Sequence, residues 1–337
     1  MRIRPKQLLS AAVTALLTVL TVGVGAAMYT YTYSFTHEHV AERFSGSERL
    51  AQFTVFASES AEFTFDKMQY FRYNLEKKLT EQSLTPPQGA RLYADAYSAF
   101  DEVTLASNGK RTANAKLAYI GGDYRMFYPT YEFMPDIAKD INHDRMLLSR
   151  SAAWQLYGGE ALYDYPVTIG EKTLYVSGVY EDPEENESIK KFYGDLVPAA
   201  VDLLVDKERP ITCYELIVVD PVKNFALDAV KACLDLPEGS YLLVENSNRF
   251  SIGKLFQKIP TLVEADAPLP TGVDITPEEM EAQHAEKVLA VMLILLCVFA
   301  VWPVIRLVVW CVRLFRVVKA FFSRTVVRRI KDKFSYS

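Results

Sequence analysis

The chain lacks the parts from which active sites are commonly assembled. It has no His-Glu-x-x-His pair of metal ligands and no Gly-x-Ser-x-Gly elbow for a serine nucleophile. A phosphate-binding loop is also missing. Ile169–Thr173 (IGEKT) sets a glutamate between glycine and lysine, and Ser251–Leu255 (SIGKL) has neither the hydroxyl residue nor the upstream glycine. Ser188-x-x-Lys191 and Ser251-x-x-Lys254 fit an acylation motif, but its companions Ser-Asp-Asn and Lys-Thr-Gly do not occur, and such short matches arise by chance. His37-Glu38-His39 would bring two imidazoles to one side of a strand. On a helix, about 100° per residue separates them, and no third ligand is evident. The expectation is a protein with no catalytic residue, no cofactor and no metal.

Cysteine is scarce too. Of four, Cys297 and Cys311 lie in or beside an apolar run and read as apolar or interfacial residues. Cys213 begins a strand-like run and Cys233 ends the helix-like run after it. An antiparallel strand–helix hairpin would bring them to one end, so a disulfide and two separate buried thiols are both open.

Charge is absent from whole stretches. Leu8 to Tyr29 contains none; those roughly 22 residues reach about 33 Å as a helix, enough to cross a bilayer. Arg2, Arg4 and Lys6 precede the run and would suit a signal peptide, but its length favours an uncleaved anchor. Tyr29, Tyr31, Tyr33 and Phe35 then read as an interfacial aromatic belt. A second run, Val288 to Ile305, has Trp302 and Trp310 near its far end and Pro303 as an expected kink. Thr276-Pro277-Glu278-Glu279 upstream combines a cap, a first-turn proline and a capping-box glutamate, so a polar stalk is expected to run into the span.

Acids are all but missing beyond the second span. Nine cations (Arg306, Arg313, Arg316, Lys319, Arg324, Arg328, Arg329, Lys331 and Lys333) face the single acid Asp332, leaving that tail at +8. The N-terminal segment adds +3 and the whole chain is −5, so the stretch between the spans carries −16. Basic ends around an acidic middle predict a plasma-membrane protein with both termini cytoplasmic and the central domain outside. The acidic middle argues against nucleic acid as a partner. Arg313, Arg316, Lys319, Arg324, Arg328 and Arg329, interleaved with apolar residues, suit an amphipathic helix on anionic lipid or a dock for a cytoplasmic protein.

The sequence therefore divides into a cytoplasmic N-terminus (1–7), a first transmembrane helix (8–29), an extracytoplasmic domain (30–275), a stalk (276–287), a second transmembrane helix (288–305) and a basic amphipathic tail (306–337). Within the domain, Ala51–Ser58 reads as a strand, Phe63–Leu79 as a helix and the residues after Arg91 as a strand. Thr212–Asp220, a helix capped by Asn224, and Tyr241–Asn246 repeat that order. The fold class expected is α+β: split β-α-β halves, ferredoxin-like, around an inserted mixed subdomain near 116–204. There, Met146–Leu148 is strand-like and leads into a helix capped by Ser149 or Ser151 and closed by Gly158-Gly159. A hairpin turning at Gly170-Glu171 follows. Asn186-Glu187-Ser188 matches a glycosylation sequon, a triplet frequent by chance. The densest aromatic cluster (Tyr124, Phe127, Tyr128, Tyr131 and Phe133) is core or a ligand surface.

One series of short motifs carries a family resemblance. Gly122-Asp123, Asp144, Leu147-Leu148-Ser149, Ala153, Leu156-Tyr157-Gly158 and Val176-Ser177-Gly178-Val179 resemble, in order and spacing, the extracytoplasmic core domain of MacB/FtsX-type ABC transporter permeases. Ile211–Ala226 resembles the returning half of that domain, and the likeness spans roughly residues 8–305. It implies a stalk helix that carries motion from a cytoplasmic ABC ATPase to the outer domain, with the lipid bilayer and another permease subunit as further partners. Permeases of this type have later transmembrane helices, which the chain lacks within its remaining residues. The expected function is a non-catalytic, permease-like component of an ABC-type export or mechanotransmission system. The alternative is a stand-alone membrane-anchored sensor or ligand-binding ectodomain; a tethered hydrolase is a distant third.

Overall fold

A computed structural model describes residues 5–44, 49–81, 91–108, 110–128, 143–264 and 268–334, with backbone alone at 5–8, 42–43 and 321–334. The chain forms two units, an α+β body (35–251 and 263–285) and a helical unit (up to 34, 252–262 and from 286 on).

The body opens with a short helix, α2 (Val40–Phe44), and is built from the expected halves. β1 (Leu50–Ala57), α3 (Phe65–Glu81) and β2 (Tyr93–Ser107) make the first; β8 (Cys213–Val219), α7 (Phe225–Cys233) and β9 (Tyr241–Glu245) make the second. They interleave in the order β9-β1-β8-β2, every neighbour antiparallel, which is the split β-α-β arrangement. Met68, Phe71, Leu75 and Leu79 recur at helical spacing on α3 and are buried on one face of this sheet with Phe53, Val55, Tyr214, Leu216 and Val230. At the start of α7, Asn224 does not act as the cap. It sits in a left-handed turn, and the Asp220 carboxylate accepts from the Ala226 N–H at 3.0 Å instead.

The insert extends the same sheet. Its elements are β3 (Arg111–Gly122), α4 (Tyr124–Phe127), β4 (Arg145–Ser149), α5 (Arg150–Tyr157), β5 (Pro166–Ile169), β6 (Lys172–Tyr180), α6 (Glu187–Tyr193) and β7 (Val197–Asp202). Pairing runs β2–β3–β7–β4–β6–β5 and returns from β5 to β2, closing a ring of strands. β3–β7 and β4–β6 are parallel and the remaining pairs antiparallel, so the sheet is mixed. Leu105, Leu117, Met146, Leu148, Val167, Val176 and Val201 belong to one buried cluster with Ala153 and Leu156 of α5. α5 is delimited as expected: the Ser149 hydroxyl accepts from the Ala152 N–H, and Gly158 ends it in a left-handed conformation. Gly122 turns at φ +72, where a Cβ would lie 2.5 Å from the Asp95 carbonyl oxygen.

The helical unit contains α1 (Pro5–Tyr33), α8 (Ile252–Lys258) and most of α9 (Pro277–Phe334), a single helix that runs through Pro303. Two stretches are long and apolar enough to cross a membrane, Leu9–Tyr33 and Pro277–Ala320; the most apolar 18 residues of each have mean hydropathies of 2.0 and 3.0. Thr14, Thr18, Thr21, Thr30 and Thr32 each return their hydroxyl to a carbonyl four residues earlier, which satisfies it without water. Trp302 Nε1 donates to Thr14 Oγ1 at 3.1 Å, and a Cβ on Gly25 would meet Leu296 at 3.5 Å.

Candidate functional site

Strand alternation gives the second face of β1 and β8 an unusual content. Gln52 and Thr54 on β1 and Glu215 on β8 point away from the α3–α7 core, yet all three are buried. A carboxylate on a buried central strand needs a partner. The chain just before α2 supplies it: His37, in a 3-10 turn over Thr36–His39, bonds Glu215 through Nε2, and its carbonyl accepts from Gln52 Nε2 at 2.9 Å.

Beside that pair lies a second one. Arg249, 6% exposed, donates through both terminal nitrogens to the Glu279 carboxylate, at 2.6 and 2.8 Å, and reaches Glu38 at 3.4 Å. Gln283 Nε2 adds a bond to Glu279 at 2.8 Å. Thus Glu279, read from the sequence as a capping-box residue, spends its oxygens on Arg249 and Gln283. The stalk start is tied to the loop after β9 and to the segment before α2 by buried charges. Asn186, the sequon residue, makes a further tie: its Oδ1 caps α6 through the Ile189 N–H, and its Nδ2 donates to Glu281 of α9 at 2.6 Å.

The electrostatics follow from burial and from an excess of acids. Burial alone would lower the His37 pKa, but Glu215, by charge and hydrogen bond, with Glu278 and Glu38, raises it to about 9. Burial pushes the Glu38 carboxyl up against the opposing pull of Arg249 and His37. Tyr128, whose ring centroid is 5.2 Å from that of His37, is raised by burial and then by Glu215. Among the described residues, the acids Glu38, Glu215, Glu278 and Glu279 thus lie around His37 and Arg249. One oxygen each of Glu38 and Glu215, the Gln52 and Asn246 carbonyls, and His37 Nδ1 are buried without a hydrogen-bond partner among the described residues.

A cleft of about 730 Å³ opens on the body, lined among others by Phe100, Glu102, Lys116, Phe192, Asp274 and Met280. Lys116 Nζ donates to the Phe192 carbonyl at 2.8 Å and lies 4.0 Å from the centroid of that ring. Burial lowers the Lys116 pKa, opposed by Glu102 and Asp274.

The residues singled out in the sequence fall differently. Cys213 and Cys233 are free thiols. Cys213 clusters with Phe56 and Val273, whereas Cys233 belongs to the α3–α7 core, so the sheet stands between them and no disulfide forms. Tyr124, Phe127 and Tyr128 are buried with Val40, Ile120 and Ile217 and make core rather than a ligand surface; Tyr131 and Phe133 lie outside the described residues. Arg313, Arg316 and Lys319 are exposed on α9, while the side chains of Arg324, Arg328 and Arg329 lie outside the description. No group of metal-ligating side chains occurs among the described residues.

No protein-family model and no curated protein matches the chain. Solved structures do. The periplasmic region of MacB from Actinobacillus actinomycetemcomitans is similar at 12% identity and a TM-score of 0.38, over 58% of this chain and 89% of that one. The extracellular domain of the noncanonic ABC-type transporter YknZ from Gram-positive bacteria is similar at 12% identity and a TM-score of 0.36, over 58% and 100%. A domain of a putative permease protein from Porphyromonas gingivalis gives 13% and 0.35, over 60% and 92%.

Proposed function

We propose that the chain is a non-catalytic, membrane-anchored, permease-like component of an ABC-type export or mechanotransmission system. Both termini are cytoplasmic, and the α+β body is on the far side of the membrane. The observation that carries this reading is the continuity of α9 from Pro277 to Phe334 together with the buried Arg249–Glu279 pair at its start. A helix bonded at one end to a folded body and continuous through an apolar span moves that body when its other end moves. The basic stretch from Arg306 is the natural contact for a cytoplasmic ATPase, alongside lipid. A second permease subunit is a further partner in this reading.

The cleft beside Lys116 supports a second reading, a stand-alone sensor or ligand-binding ectodomain. Gentle-detergent purification of the tagged chain from its own cells, with mass spectrometry of the co-purified proteins, separates the two. The transporter reading expects an ABC ATPase that disappears when 306–337 is deleted. A chain that comes through without an ATPase, with none captured by crosslinking in intact cells, leaves the sensor reading.

A further inference from the structure

α1 and α9 flank an open cleft of about 960 Å³ at the end of α1 nearest the N-terminus. One wall carries the hydroxyls of Ser10, Thr14 and Thr18; the other carries Arg306, Trp310 and Arg313. The two arginines are seven residues apart, two helical turns, and so share a face of α9. Three facts about this cleft point to an anion. First, the sequence offers no carboxylate on either wall: no acid occurs from Leu8 to Phe35, nor from Lys287 to Lys331. An arginine at the edge of an apolar span is costly unless it meets a negative charge or water. Second, the Ser10 hydroxyl oxygen is buried there without a hydrogen-bond partner among the described residues. Third, the Arg306 guanidinium lies 5.2 Å from the Trp302 ring centroid, and Trp302 is fixed by its bond to Thr14, so the cation is held at the cleft.

The rest of the lining selects the kind of anion. Val19, Leu307 and Val309 are apolar, so the occupant presents hydrocarbon as well as charge. A guanidinium fork matches the oxygens of a phosphate. We propose that this cleft is a binding site for one anionic glycerophospholipid, its phosphate between Arg306 and Arg313 with Ser10 donating to it, its acyl chains along α1 and α9. The site is distinct from diffuse attraction of the tail to a charged membrane surface, because it needs the α1 wall and only two of the tail's cations. It is also independent of whether an ATPase partner exists.

The test is native mass spectrometry of the full chain in a mild zwitterionic detergent, offered phosphatidylglycerol and phosphatidylcholine in equal amounts. At about fivefold per arginine, the intact chain should prefer phosphatidylglycerol by roughly 25-fold. Arg306→Gln with Arg313→Gln should erase the preference. Ala15→Phe, which fills the cleft without altering charge, should remove the bound lipid, and Arg316→Gln with Lys319→Gln should leave it in place. Amide circular dichroism checks that each variant is folded; if the double arginine variant is not, Ala15→Phe decides between a cleft site and none. Equal binding of the two lipids overturns the proposal. So does a preference that survives the cleft variants, or one lost equally in the Arg316/Lys319 variant, which would mean diffuse charge. Emptying of the site by millimolar inorganic phosphate also overturns it, in favour of a small-anion site.

Discussion

His37 is the residue on which the site's response to pH turns. Its pKa is raised from an ordinary 6.5 to about 9, so the folded body holds its proton more tightly than the unfolded chain does. The stability it adds is fully present below pH 6.5 and is lost as pH rises through about 9. Such a shift is worth on the order of 3 kcal/mol. Glu38, whose carboxyl is raised by burial, acts in the same direction from lower pH upward. Denaturant unfolding between pH 6.5 and 9 should therefore show the intact chain weakening as pH rises, and His37→Gln should flatten that slope. An unchanged slope would place the charge elsewhere. Very little of this site is legible in the sequence. His37-Glu38-His39 reads there only as a weak metal motif, and Glu215 sits inside Cys213–Val219, an otherwise apolar strand. The missing information is the pairing: His37 and Glu215 are 178 residues apart, and no local pattern joins them. A glutamate in the middle of a buried strand is the one available signal.

Among the elements, α9 carries the most consequence. Its start is joined to the body through Arg249, and removing that cation leaves the Glu279 carboxylate buried without its ion-pair partner and Glu38 with His37 alone. Arg249→Met is expected to cost about 3–5 kcal/mol, because half of a buried pair is worse than none. Arg249→Met combined with Glu279→Leu should recover a large part of that loss in the same unfolding measurement; a double variant no better than the single one would argue against the pair as the tie. Elements with strong local signals are legible. The 3.6-residue recurrence on α3, the Ser149 cap and Gly158 close of α5, and the turn at Gly170 stand where the sequence pattern places them. Gly122, part of the motif behind the family resemblance, has a plain reason in the close approach of Asp95. Caps that depend on tertiary partners are not legible: Asn224 gives way to Asp220, and Glu279 goes to Arg249.

At the scale of the whole molecule, the alternation of polar and apolar stretches shows two apolar spans around an α+β body, and the interleaved order β9-β1-β8-β2 agrees with the split halves. The closed ring through β5 and β2 does not show, because strand closure depends on pairings between distant segments and leaves no period in the sequence. The burial of Tyr124, Phe127 and Tyr128 is likewise hidden, since an aromatic cluster has the same composition in a core as on a surface. The central proposal is that α9 carries motion between the cytoplasmic side and the body. Hydrogen–deuterium exchange of the full chain in its own membranes, with and without a non-hydrolysable ATP analogue, tests this most directly. Exchange at Thr36–His39 and at 276–285 is expected to change together when the nucleotide is added. Identical exchange at both segments in the two conditions would contradict it.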